Sequence, residues 1–194
     1  AARPQVTRAG VHDYTGRMPS VTAESRARRL DRQRRFLARS RDIDRQTLSE
    51  AGRVNAELFE WVLDDSIGAN ELDLVRIPFN TFSGFYMDAL TAHNGVRMNT
   101  VADYEDYLAR LADIPRYFDE SLANMRRGVE TGFVLPQIVI DGVLPTIRAQ
   151  VKASPEDSSF YEPFETISAN LPDAEQERLR TAARRVISAA VMPA

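Results

Sequence analysis

Residues 100–130 read TVADYEDYLARLADIPRYFDESLANMRRGVE. Val101, Tyr104, Leu108, Leu111, Phe118, Leu122, Met125 and Val129 recur there at intervals of 3, 4, 3, 7, 4, 3 and 4. Such intervals place apolar side chains on one face of a 3.6-residue period, which is the mark of an amphipathic helix. Pro115 stands where the missing apolar member falls. Because the register survives the proline, the spacing predicts one long kinked helix or two nearly coaxial ones. Thr100 precedes the run, Asp103 and Asp106 suit the positive end of its dipole, and Gly128 and Gly132 supply stop signals.

Outward from this stretch the chain keeps a helical character. Thr22 is a candidate N-cap for a helix over 23–41. Thr47-Leu48-Ser49-Glu50 has capping-box spacing, and the helix it opens carries Val54, Leu58, Trp61 and Asp65 on one stripe, ending near Gly68. Residues 136–152 suit a helix that buries Ile138 or Val139, Val143, Ile147 and Val151, with Pro145 as a kink. Residues 154–163 read as a loop, and Asp173 opens a helix whose Leu179, Ala182, Ala183, Val186, Ile187 and Ala190 form an unbroken stripe. No segment alternates with period two. The class is therefore all-α, about six helices in an irregular bundle, forming one helical domain over 1–194 with an irregular lead-in to about residue 20.

Composition removes several chemistries. The 194 residues carry 25 Lys+Arg against 28 Asp+Glu, no Cys, two His and one Lys, Lys152. There is no thiol nucleophile, no disulfide framework, no local His pair for a catalytic metal and no Gly-Lys-Ser/Thr phosphate loop. No Gly-x-Ser-x-Gly elbow or Gly-x-Gly-x-x-Gly run occurs. No apolar run approaches the ~20 residues of a membrane span. Eight arginines in 22–41, with Arg28, Arg32, Arg35 and Arg39 on one face, could track a phosphate backbone. The acidic balance elsewhere and the absence of interleaved aromatics favour a solvated face, so no nucleic-acid partner is expected. Asp64-Asp65 and Glu105-Asp106 read as solvated surface, since neighbours on a helix point about 100° apart.

Loop signals, aromatics and polar groups coincide in one place, Arg76–His93 (RIPFNTFSGFYMDALTAH). Asn80, Ser83, Tyr86 and His93 are the candidates to line a cleft or an interface. The competing reading is a loop whose aromatics cap the core. No residue of the chain is a candidate catalyst or metal ligand.

Several segments, in order, resemble a bacterial family. They are GVHDYTGRMPSVTAESRARR (10–29), the Trp61 helix, IPFN (77–80), TVADYEDYLARLADIPRYFDE (100–120) and SSFYEPF (158–164). The family is the domain of unknown function 885, whose members are described as lipoproteins or predicted metallopeptidases. The resemblance implies a largely helical protein about three times this length. It also implies a zinc site of gluzincin type, with a His-Glu-x-x-His or His-Glu-x-x-x-His helix in the C-terminal half. His12 is followed by Asp13 and His93 by Asn94, so no catalytic residue carries over.

The expectation is a non-catalytic N-terminal helical part, cut from a larger zinc-dependent, peptidase-like protein, that forms one wall of a substrate cleft. It would need no cofactor of its own, with zinc in the full-length protein. The remainder of its own chain, a peptide substrate and a second copy are its expected partners. By resemblance its place would be periplasmic or membrane-anchored, with a cytoplasmic one left open. The alternative is a stand-alone helical scaffold module that meets a protein partner.

Overall fold

The computed structural model describes residues 16–91, 94 and 98–194. Among these the regular structure is helical, with a single isolated bridge between Phe79 and Gly84. Helices α1 (Ala23–Arg41) and α2 (Glu50–Glu71) form a hairpin. The short α3 (Phe85–Leu90) precedes α4 (Val101–Ala112) and α5 (Ile114–Glu130). Helix α6 (Gln137–Arg148), the single turn α7 (Glu162–Glu165) and α8 (Asp173–Val186) follow, and α8 runs on into a π-helical turn, Ile187–Val191.

The 100–130 stretch is two helices. Thr100 accepts from Asp103 N while the Asp103 carboxylate accepts from Thr100 N, so a capping box starts α4. Asp113 alone separates the two, helical in its own φ/ψ, and Pro115 sits in the first turn of α5, where a missing N–H costs nothing. The Asp113 carboxylate receives Met18 N at 2.8 Å and Arg116 at 2.6 and 2.7 Å. This ties the chain before α1 to the junction.

The main core lies between α4, α5 and α8. Tyr104, Leu111, Ile114, Leu179, Ala183 and Ile187 are fully enclosed. The Phe160–Phe164 segment plugs the gap between α4 and α8. Phe164 stacks on Tyr107 with ring centroids 5.9 Å apart, and the Tyr107 hydroxyl donates to Phe160 O at 3.2 Å. The α8 stripe is as its spacing predicts, with Leu179, Ala183 and Ile187 at its centre.

The α1–α2 hairpin has its own small core of Leu37, Leu63 and Ile67, with Leu30 against it. Polar links do the rest: Gln33 to Ser66 at 2.5 Å, Ser40 to Glu60 at 2.8 Å, and Arg45 to Glu60. The arginine face is solvated, and several arginines of α1 are paired. Arg34 bonds Glu71 and Arg41 bonds Asp64, both at 2.7 Å, while Arg28 meets Glu24 and Arg35 meets Asp31 one turn away.

Three sequence expectations are corrected. Ser49, not Thr47, caps α2: its hydroxyl accepts from Gly52 N at 3.1 Å, and Thr47 lies in a 3-10 turn donating to Asp44 O. The Val54, Leu58 and Trp61 stripe faces outward, with Trp61 66% exposed. Leu63 and Ile67, flanked by small and polar groups, face α1 instead, because polar pairing to α1 sets the helix's rotation. In α6 only Val143 is buried, at 3% exposure, while Ile138 and Val151 stand in solvent. A lesser shift concerns α5, whose deepest residues are Ile114, Tyr117, Ser121, Asn124 and Gly128, one step round from the predicted stripe.

Candidate binding crevice

The segment after α2 is pinned before it reaches the candidate residues. Asp73 adopts a left-handed conformation (φ +55°) and receives Arg26 at 2.6 Å, Arg127 at 3.0 Å and Arg76 at 3.1 Å. Partial burial pushes its carboxyl up. Hydrogen bonds from Arg26 and Arg127, with their charges, outweigh this and hold it below the usual carboxylate range. The following turn, Leu74–Arg76, lies on α5 at Gly128.

Residues 78–85 then form a tight hairpin. Phe85 N donates to Pro78 O at 3.1 Å and Asn80 N to Ser83 O at 2.7 Å. The Asn80 side-chain oxygen accepts from Phe82 N at 2.8 Å and Ser83 N at 2.9 Å, an Asx turn that spends its acceptor on the loop itself. Gly84 admits no side chain, since a Cβ there would lie 2.5 Å from Phe79 Cβ and 2.8 Å from Tyr86 Cε1. At the tip Phe82 is 92% exposed.

The four sequence candidates do not converge. Asn80 and Ser83 sit together at the exposed tip, the Ser83 hydroxyl 3.4 Å from Asn80 Oδ1. Tyr86 turns inward and is only 7% exposed. His93 lies outside the described residues, as does His12. Neighbouring aromatics build a cluster: Phe85 meets Tyr86, Tyr117 and Phe118 edge-on, with centroids 6.1, 6.5 and 5.2 Å apart. The Tyr117 hydroxyl donates to Asp88 Oδ2 at 3.0 Å. Loss of hydration beside these rings raises the Asp88 carboxyl, and burial followed by the Asp88 charge raises the Tyr117 phenol.

A partly open crevice is lined by Tyr86. A chamber of about 300 Å³ runs between α3, α5 and α6, walled by Phe118, Leu122, Met125, Val143 and Ile147 among others. A second, of about 200 Å³, continues past Tyr86, Phe118 and Ile147 to Val151, Lys152 and Ser158. The two share walls and form one apolar crevice, under a helix that buries Val143 alone. The sequence did carry a signal for it. Phe118, Leu122 and Met125 belong to the apolar stripe of 100–130, and α6 has a single charged residue, Asp141, before Arg148. Neither pattern says which element closes on the other.

Among the described residues no group of three His, Cys, Asp or Glu side chains could hold a metal ion, so these residues do not fit a zinc centre. No helix among them is long and apolar enough to cross a membrane.

Comparison with known proteins gives three findings. The family model described as "Bacterial protein of unknown function (DUF885)" matches residues 4–194. No curated protein matches the chain. A solved structure, described as that of "the putative lipoprotein from Colwellia psychrerythraea", is similar in fold, with a TM-score of 0.77 at 15% identity over 92% of this chain. The chain covers 33% of that protein's length. An all-α bundle with the same fold and a family match over nearly every residue lead to one assignment: the chain belongs to the DUF885 family of bacterial proteins.

Proposed function

We propose that this chain is the non-catalytic, N-terminal helical part of a zinc-dependent, peptidase-like protein, and that the 76–93 segment lines one wall of its substrate cleft. The observation that carries the reading is the Phe82 hairpin. Four backbone and Asx hydrogen bonds and a glycine with no room for a side chain hold a large aromatic ring out in solvent. An aromatic ring on a preorganised loop is the kind of anchor that a cleft or an interface uses. The chain's share of a longer related fold supports a second part that carries the chemistry. The remainder of that longer chain is then its principal partner, and zinc belongs to that remainder. A lipid-anchored, periplasmic placement rests on the likeness to the protein described as "the putative lipoprotein from Colwellia psychrerythraea", and not on these residues.

The test uses the full family-length protein, purified without added metal. It should retain zinc and cleave peptides, and Phe82→Ala should raise KM while kcat stays within about twofold. Protein that is free of zinc and inactive on peptides would sink the proposal. A second reading, a scaffold module with a protein partner, is favoured by the outward Val54, Leu58 and Trp61 stripe on α2. Light scattering discriminates here, because the scaffold reading requires a complex or dimer that Trp61→Ala disrupts.

A further inference from the structure

The hairpin of α1 and α2 is an arm with its own packing, and the inference drawn from it stands independently of the peptidase reading. Leu37, Leu63 and Ile67 form its core with Leu30, as a cluster separate from the main core of α4, α5 and α8. The chain segments that enter and leave the arm are strapped to α5 by polar groups. On the entry side Glu120 accepts from Val21 N at 2.7 Å and from the Ser20 hydroxyl at 3.0 Å, and Asn124 donates to Val21 O at 3.0 Å. On the exit side Arg127 meets Asp73 at 3.0 Å, and the Leu74–Arg76 turn lies against Gly128. Both roots of the arm therefore end on α5 between Glu120 and Gly128. Two neighbouring crossings of the chain, each at the end of a helix, have the form of a hinge.

The joint itself is not filled. A recess of about 180 Å³ separates Arg26, Ser66 and Asn70 of the arm from Val21, Leu74 and Val75 of its roots. Close-packed interiors leave no such space, and a rotating joint needs it. Arg26 runs from α1 to Asp73 at 2.6 Å, while its buried Nε bonds nothing among the described residues. Asp73 holds a left-handed conformation, which an L-residue keeps only where its surroundings impose it. We propose that the α1–α2 arm swings as a rigid body about residues 21–22 and 72–73, and that the Arg26–Asp73 pair is its latch. An apolar joint would resist rotation, because every side chain in it would lose its neighbours. At a partly solvated joint, water can replace the hydrogen bonds that are lost. Inside the arm, the apolar core and the Gln33–Ser66 and Ser40–Glu60 bonds move together. The swing carries the outward Val54, Leu58 and Trp61 face with it.

Distances between pairs of spin labels in the full family-length protein test this, and these 194 residues contribute no native cysteine. Labels at Gln46→Cys, in the turn at the tip of the arm, and at Asp119→Cys, on α5, read the swing. Labels at Arg32→Cys and Asp65→Cys, exposed on α1 and α2, read the arm itself. Singly labelled samples correct for cysteines elsewhere in the longer chain. Arg26→Gln should raise the population of a second tip-to-α5 distance roughly tenfold and leave the α1–α2 distance in place. Asp73→Asn, which tolerates the left-handed conformation, should act in the same direction. A tip-to-α5 distribution that neither variant alters overturns the hinge. So does an α1–α2 distance that broadens together with it, since the arm would then be unfolding and not swinging. Should Arg26→Gln fail to fold, Asp73→Asn decides alone.

Discussion

A side chain on Gly128 would strike the backbone of Arg76: a Cβ built there lies 2.9 Å from the Arg76 carbonyl oxygen and 2.8 Å from that of Phe133. The closeness of these two backbones seats the Leu74–Arg76 turn on α5 and so aims the hairpin that follows. In a helix interior Gly→Ala normally stabilises by about 1 kcal/mol. Here neither obstructing atom is the end of a flexible side chain, so the sign reverses. Gly128→Ala should cost about 1–3 kcal/mol, read as a lower urea midpoint with an unchanged m-value.

Asp73 joins α1, the 74–76 turn and α5 through three arginines. Asp73→Ala should destabilise by about 2–3 kcal/mol, less than for a fully buried pair because the carboxylate is partly solvated. Asp73→Asn, which tolerates the left-handed conformation, should lose only about half of that.

The direction of the Asp73 and Asp113 shifts sets an acid limb. Burial pushes both carboxyls up, but their partners outweigh it and hold both below their ordinary values: Arg26 and Arg127 at Asp73, Arg116 and Met18 N at Asp113. A depressed folded pKa contributes stability above the unfolded value of about 3.9, and that stability is lost as pH falls through the folded value. Thermal midpoints should therefore fall as pH drops below about 4, and the slope should be shallower in Asp73→Asn.

The two candidate caps of α2 make a clean contrast. Ser49→Ala should cost about 1 kcal/mol, since Gly52 N loses its acceptor. Thr47→Ala should cost under about 0.5 kcal/mol, because it removes one exposed hydrogen bond to Asp44 O. Equal losses in chemical denaturation would contradict the assignment of the cap.

Trp61, the only tryptophan, reports directly on the outward stripe of α2. Its fluorescence should be readily quenched by acrylamide. Trp61→Ala should change stability by less than about 0.5 kcal/mol. Strong protection from quencher in a monomer would return the stripe to the core.

What the residues determine alone is mostly local, with the cap of α2, at Ser49 and not Thr47, as the exception. Periodicity near 3.6 marks α4, α5 and α8; Thr22 and Thr100 start helices, and Asp173 opens α8; Pro115 and Asp113 set the junction of α4 and α5. Local interactions span a few residues, so a short window contains them. Tertiary structure decided which face of each helix is buried. Val54, Leu58 and Trp61 are as apolar as Leu63 and Ile67, but Gln33, Ser40 and Arg45 find Ser66 and Glu60 only when α2 turns the other way. In the same way Tyr86 and Asn80, six residues apart, part company because Gly84 lets the backbone pass close to Phe79 and turns one inward. The crevice is lined by Phe118, Leu122 and Met125 of α5 together with Val143 and Ile147 of α6, residues that only the tertiary structure brings around one space. Burial is a relation between elements distant in sequence, and no periodicity within one element contains it.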